Sequence, residues 1–268
     1  MDVITIRASS MPELWDCPAR WEAKYVRGLR MPRSAAAQLG TAVHAGTALF
    51  DQRVLDCNPL TPDEAAGAVV DAIQHPAEDV DWGEDSPSDA EKIGIALHSK
   101  YCAEIAPQQM YAAVEAKCER LVITDIGLAL TGSTDRITVN VNGDYGIADI
   151  KTGKQAVNAD GTVKVVGHAA QIAVYELLAG AALGVPMEAP AQIIGLQVAK
   201  TERGRRAGIG IIHDARSLLL GDSDSQSPGL LEIASRMLHS ATFYGNPKSM
   251  MCHEKYCPAY TTCRWRKS

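Results

Sequence analysis

Net positive charge, phenylalanine and long apolar runs are all scarce in this chain, and each scarcity narrows what it can be. The 26 Lys and Arg are outnumbered by 32 Asp and Glu, for a formal net charge of -6. That excludes a uniformly basic surface of the kind that grips nucleic acid through phosphate contacts alone. Phe occurs twice in 268 residues, so close packing of small side chains must replace aromatic filling in the core. The longest apolar stretch, residues 169–185, is interrupted by Gln171 and Glu176, which reads as a buried helix and not a membrane span. The pattern G-x-x-x-x-G-K-[ST] is missing, so the chain carries no phosphate loop for an ATP-driven motor. Repeats and low-complexity tracts are missing too. No apolar N-terminal run with a cleavage site is found, and the expected setting is the cytoplasm, where thiols stay reduced.

At 46% hydrophobic content the chain can bury a sizeable core, and one domain over 1–268 is expected in three parts. Residues 1–105 read as mainly helical, with helices near 10–28, 36–56, 61–75 and 88–105. Residues 106–213 read as an α/β core: strands near 111–124, 127–133, 135–141 and 145–151, a helix from about His168 to Leu183, and strands near 191–199 and 207–213. Residues 214–268 supply a polar loop to Gly229, a helix near 228–243 and a tail. The fold class is therefore α/β, a central mixed β-sheet flanked by helices. Ser10-x-x-Glu13 and Thr61-Pro-x-Glu64 both have the spacing of a capping box, the first placing Cys17 on the second turn of its helix. Gln155 to Val166 reads as a mobile loop.

The most informative stretch is a hairpin. Asp135 to Val141 and Tyr145 to Lys151 both alternate, with Asn142-Gly143-Asp144 as the turn between them. A two-residue turn would send Asp135 and Asp149 to opposite faces, whereas a three-residue Asn-Gly-Asp loop pairs Asp135 with Lys151 and Ile137 with Asp149 on one face. The odd loop is expected. Two adjacent carboxylates repel and want a hard divalent cation between them, Mg²⁺ or Mn²⁺, and Lys151 adds a compact charge able to orient water or steady charge on a phosphate. D-x-K alone is more often an ordinary surface pair.

His44 lies in a helix of small residues, as a core histidine or as a third ligand. Gln171 and Tyr175 share a helix face at i and i+4. Glu115, on the preceding strand, reads as an edge-strand glutamate or as an acid for a second metal. Leu39-Gly-Thr-Ala-Val-His44, Leu130 to Ile137 around Asp135, Ile147-Ala-Asp149-Ile150-Lys151-Thr-Gly153 and Gln171-x-x-x-Tyr175, in this order, resemble the PD-(D/E)XK nuclease superfamily, specifically its RecB-like exonuclease branch, which includes CRISPR-associated exonucleases. The resemblance implies a restriction-endonuclease-like core. It further implies that His44, Asp135, Asp149 and the Ile150 carbonyl bind a divalent metal, that Lys151 assists the attacking water, and that Gln171 and Tyr175 support them. An aspartate stands at 149 where many relatives carry glutamate. The implied activity is a DNA nuclease, an exonuclease acting on single strands or free ends in recombination, repair or CRISPR adaptation, with helicase or recombination proteins as partners. A non-catalytic DNA- or partner-binding subunit is the alternative.

Seven cysteines are present. Cys252, Cys257 and Cys263 crowd a tail too poor in apolar residues to pack by itself, so a metal is expected to order it. A subgroup of the same branch holds a [4Fe-4S] cluster with one N-terminal cysteine before a proline and three near the C-terminus, and Cys17-Pro18 with the tail resembles it. The first gap is longer here, which leaves open a structural zinc ion on three cysteines and His253. Three basic groups, Arg20 to Arg33, Arg203 to Arg206 and Arg264 to Lys267, offset the acidic balance locally. If the cysteines join the chain ends, the first and third would merge, with Trp15, Trp21 and Trp265 as stacking platforms or packing residues.

Overall fold

The computed structural model describes residues 2–222 and 227–267. Element order is Ile4–Arg7 (β1), Met11–Asp16 (α1), Pro18–Tyr25 (α2), Arg33–Ser34 (β2), Ala35–Leu55 (α3), Pro62–Gln74 (α4), Val80–Asp81 (β3) and Pro87–Glu104 (α5). The sheet-forming part follows with Tyr111–Ile123 (β4), Leu128–Val139 (β5), Tyr145–Gly153 (β6), Ala169–Leu183 (α6), Ala191–Gln197 (β7) and Ala207–Ile212 (β8). Ala215–Leu220 (α7), the short pair Gly221–Asp222 (β9) and Ser227–Pro228 (β10), and Leu230–His239 (α8) complete it. The sheet is mixed, in the order β1-β5-β6-β7-β8, with β4 on the other side of β5.

Alternation along the strands sorts the core into two layers. Ile137 and Ile147 pack with Ile172, Tyr175 and Leu178 of α6, whereas Ala148, Ile150 and Ile194 pack with Leu39 and Val43 of α3 and Leu97 and Tyr101 of α5. Thr61 and Glu64 form the expected capping box on α4. Four features depart from the sequence reading. The expected strands at 127–133 and 135–141 are one continuous β5, β1 joins the sheet parallel to it, and residues 215–220 of the expected polar loop are helical; residues 223–226 of that loop lie outside the described residues. The first helix breaks at Cys17, with φ -153 and ψ 93, because Pro18 disfavours a helical residue before it. Cys17 therefore sits on a corner between α1 and α2 and not within a helix, and Ser10 forms no side-chain cap; its hydroxyl instead receives Trp21 Nε1–H at 3.1 Å.

The hairpin loop is odd, as expected, but one residue earlier. Asn140 N–H donates to Asp144 O at 3.0 Å, and Asn140 Oδ1 accepts from the backbones of Asn142 and Asp144, each at 2.9 Å. That side chain builds the turn, leaving Val141-Asn142-Gly143 as the loop, with Gly143 at φ 86 and Val141 92% exposed. The ladder pairs Ile137 with Ile147 and Arg136 with Ala148. The ladder ends there, so neither expected pairing, Asp135 with Lys151 or Ile137 with Asp149, is formed.

Candidate active site

One edge of β5 is shared. Its first part, Leu128 to Thr131, pairs with β1, and its last part, Arg136 to Val139, pairs with β6. Residues 132–135 belong to neither ladder, and here β6 turns away to run parallel to β7 from Ala148 to Gly153. The polar side chains gather at this split. Asp135 Oδ2 accepts the Ile150 backbone N–H at 2.8 Å and lies 3.5 Å from His44 Nδ1. His44 Nε2 meets the Ile150 carbonyl at 2.8 Å. Lys151 Nζ lies 2.6 Å from Asp149 Oδ2 and donates to Gln171 Oε1 at 3.2 Å. Gln171 Nε2 donates to Tyr175 OH at 2.9 Å and reaches Asp149 Oδ1 at 3.5 Å.

The residues singled out from the hairpin, α3 and α6 thus come together in two adjoining sets: His44 with Asp135 and the Ile150 carbonyl, and Asp149 with Lys151, Gln171 and Tyr175. His44 takes its place because α3 lies flush against β6: a Cβ on Gly40, one turn earlier, would sit 2.9 Å from Thr152 Oγ1. Asp149 is 1% exposed, and burial, reinforced by the Asp135 charge and opposed by Lys151, pushes its carboxyl up to about 6. The Asp149–Lys151 pair is therefore not the ordinary surface pair that D-x-K alone allows. Glu115 lies exposed on β4, which pairs with β5 alone, as an edge-strand residue would. Its backbone is left-handed in mid-strand, at φ 48, a costly conformation for a non-glycine residue. It brings the carboxylate to where one ligand atom each from His44, Glu115 and Asp135 lies within 4.8 Å of the others. Imidazole nitrogen and carboxylate oxygen at that spacing suit a divalent ion such as Mn²⁺ or Mg²⁺.

A buried network behind the cleft went unread in the sequence. Arg136 is fully buried. Its Nε donates to Asp51 Oδ2 at 2.7 Å, and its Nη1 donates to the Asp135 carbonyl at 2.7 Å and stands 3.5 Å from Glu115 Oε1. Tyr101 OH donates to the same Asp51 oxygen at 2.5 Å. The only signal was an arginine at an alternating position next to the catalytic-looking aspartate, with its partner 85 residues away.

The family model for the PD-(D/E)XK nuclease superfamily matches residues 7–264. The chain belongs to the PD-(D/E)XK nuclease superfamily. The fold of this nuclease is similar to that of a candidate exonuclease from Eubacterium rectale, at a TM-score of 0.54 and 13% identity over 98% of this chain and 90% of that one. It is also matched by SSO0001, at a TM-score of 0.44 and 13% identity over 100% and 89%. Among curated proteins no sequence relative matches. No described helix is long and apolar enough to cross a membrane.

The cysteine tail closes against the corner between α1 and α2. Cys17, Cys252, Cys257 and Cys263 line one cavity of about 280 Å³, together with Arg20, Arg264 and Arg266. Asn246 clamps the corner, its backbone N–H donating to Cys17 Sγ at 3.4 Å and its side chain to the Asp16 carbonyl at 2.9 Å. His253 is exposed and outside the lining, its Nδ1 accepting the Lys255 N–H at 3.1 Å. The chain ends do meet, but much of the first basic group is neutralised: Arg20 and Lys24 pair with Glu13 at 2.9 and 2.6 Å, and Arg27 with Glu22 at 3.1 Å. Trp21 is buried against Phe243, Trp15 packs on the core, and Trp265 stays 39% exposed beneath Arg264.

Proposed function

We propose that the chain is a Mg²⁺- or Mn²⁺-dependent deoxyribonuclease that hydrolyses phosphodiesters from DNA ends. The observation that carries this is the meeting of His44, Glu115, Asp135 and the Asp149–Lys151 pair at the split edge of β5. His44, Asp135, Asp149 and the Ile150 carbonyl would hold the ion, with Glu115 as a further carboxylate, and the His44–Ile150 hydrogen bond would give way to it. Such an ion supplies Lewis acidity toward the phosphate and acidifies bound water. Lys151, steered by Gln171 and backed by Tyr175, orients the nucleophilic water and offsets charge on the phosphate. The buried Arg136–Asp51 pair fixes the backbone of Asp135, so both strands meet the substrate already in position.

One observation favours an iron-sulfur cluster over zinc on three cysteines and His253: the cavity is lined by all four cysteines, and His253 stands outside it. Cys17, Cys252, Cys257 and Cys263 would hold a [4Fe-4S] cluster that fastens the tail to α1 and α2.

The test uses end-labelled single- and double-stranded DNA with Mg²⁺, Mn²⁺ or chelator. Wild type should shorten labelled ends only with metal, and Asp149→Asn should lower the rate by at least about 100-fold while remaining folded. Cleavage by Asp149→Asn at the wild-type rate would refute the assignment. A wild type that binds DNA without cutting it under any metal would favour the non-catalytic subunit.

A further inference from the structure

Beside the cleft lies a second concentration of charge, only one member of which, Arg206, belongs to a basic group read from the sequence. Lys154, three residues beyond Lys151, lines a pocket of about 550 Å³ with Lys164, Arg206, Gln197 and Asn158. Unlike Arg20, Lys24 and Arg27, none of these three cations forms an ion pair among the described residues, and Arg206 Nε is buried with no hydrogen-bond partner. The nearby Asp160 is turned back into its own loop, accepting the Thr162 N–H at 3.0 Å and its hydroxyl at 2.7 Å.

The pocket has a built floor. Residues 155–166, expected as a mobile loop, fold into a flap: Val157 and Val163 form a bridge, and Asn158 N–H donates to Thr162 O at 2.8 Å. Gln197, 7% exposed, staples it, its Oε1 accepting the Val157 N–H at 3.0 Å and its amide donating to the Lys154 carbonyl. Arg206 adds a bond to Val157 O at 3.0 Å. The flap can lie flat because β7 and β8 carry glycine beneath it; a Cβ at Gly210 would come within 2.5 Å of Val165 Cγ1, and one at Gly195 or Gly208 within 3.0 Å of Val163. His168 lies near enough to Lys151 and Lys164 for both charges to lower its pKa, which burial chiefly depresses to about 4.

We infer that Lys154, Lys164 and Arg206 bind successive phosphates of a single DNA strand and lead it to or from Lys151. Unpaired cations in a concave, walled pocket suit one flexible strand, whose backbone follows a narrow positive groove. A rigid duplex meets a protein along a broad face and would not enter such a pocket. The inference deepens the nuclease reading and rests on it.

The experiment compares full-length wild type with Lys154→Gln/Lys164→Gln, whose side chains are exposed and whose replacement leaves the Gln197 staple intact. Binding of a fluorescent single-stranded oligonucleotide is followed by anisotropy in chelator, against salt. The slope of log K against log salt should shrink by about 1.4, from about 0.7 for each phosphate of a single strand that is no longer neutralised. With Mn²⁺, kcat/KM on the oligonucleotide should fall at least about tenfold further than kcat/KM on bis(4-nitrophenyl) phosphate, which is too small to reach the groove. An unchanged slope, an equal loss on both substrates, or an equal slope change on blunt duplex overturns the groove. Hydrolysis of neither substrate by wild type overturns the nuclease reading instead, and the slope still decides the groove.

Discussion

A carboxylate that must meet a cation while buried is held in tension, and Asp149 is the residue that bears it. Its folded value near 6 lies above the ordinary 3.8, so the native state binds the extra proton between those two values. Its contribution to stability is whole below about pH 3.8 and lost as the pH rises through about 6. Activity needs the opposite, ionised form, so kcat/KM should decline as the pH falls below about 6. Saturating Mn²⁺ should carry that decline to lower pH by competing with the proton. A profile flat down to pH 4.5 would contradict it. Asp51 plays a different part, since removing it leaves the fully buried Arg136 with only the half-exposed Glu115 carboxylate, 3.5 Å away, as counter-charge. Asp51→Ala should cost roughly 3–5 kcal/mol, seen as a melting temperature lower by on the order of 10 °C.

Strands and helices were legible where their pattern was local. β6, α3, α5, α6 and the alternation of the hairpin follow from period and turn residues. β1 was missed because four residues carry too short a period to register, and the break at Cys17 because the capping pattern before it outweighed the proline after it. The register of the hairpin erred by two residues because Asn140, which the alternation placed inside the first strand, closes the turn with its side chain. The candidate site residues His44, Asp135, Asp149, Lys151, Gln171 and Tyr175 were singled out through order along the chain, whereas the Arg136–Asp51 pair and the left-handed backbone of Glu115 rest on contacts across the fold and local strain that no spacing encodes. The flap over β7 and β8 yields a test at this scale. Gly210→Ala forces a methyl group against Val165, an overpacking worth about 1–3 kcal/mol. Hydrogen exchange across residues 155–166 should quicken accordingly, and unchanged protection there would mean that the flap does not rest on β8.

At the scale of the whole molecule, residues 16–20 and 244–249 are sewn together. Ala19 N–H donates to Tyr244 O at 3.0 Å and Ser249 Oγ to Asp16 Oδ2 at 2.6 Å, with the four cysteines alongside. Anaerobically purified protein should be brown and contain iron and sulfide, and Cys257→Ala should lose that colour and become susceptible to protease near residue 250. A colourless wild type containing stoichiometric zinc would decide for the other metal. The seam also has a consequence for biosynthesis. Its two sides lie 229 residues apart, from Cys17 to Asn246, so Trp21 must wait for Phe243 until the intervening residues have been synthesised. Any product cut short before Phe243 leaves the apolar corner around Trp21 without its aromatic cover.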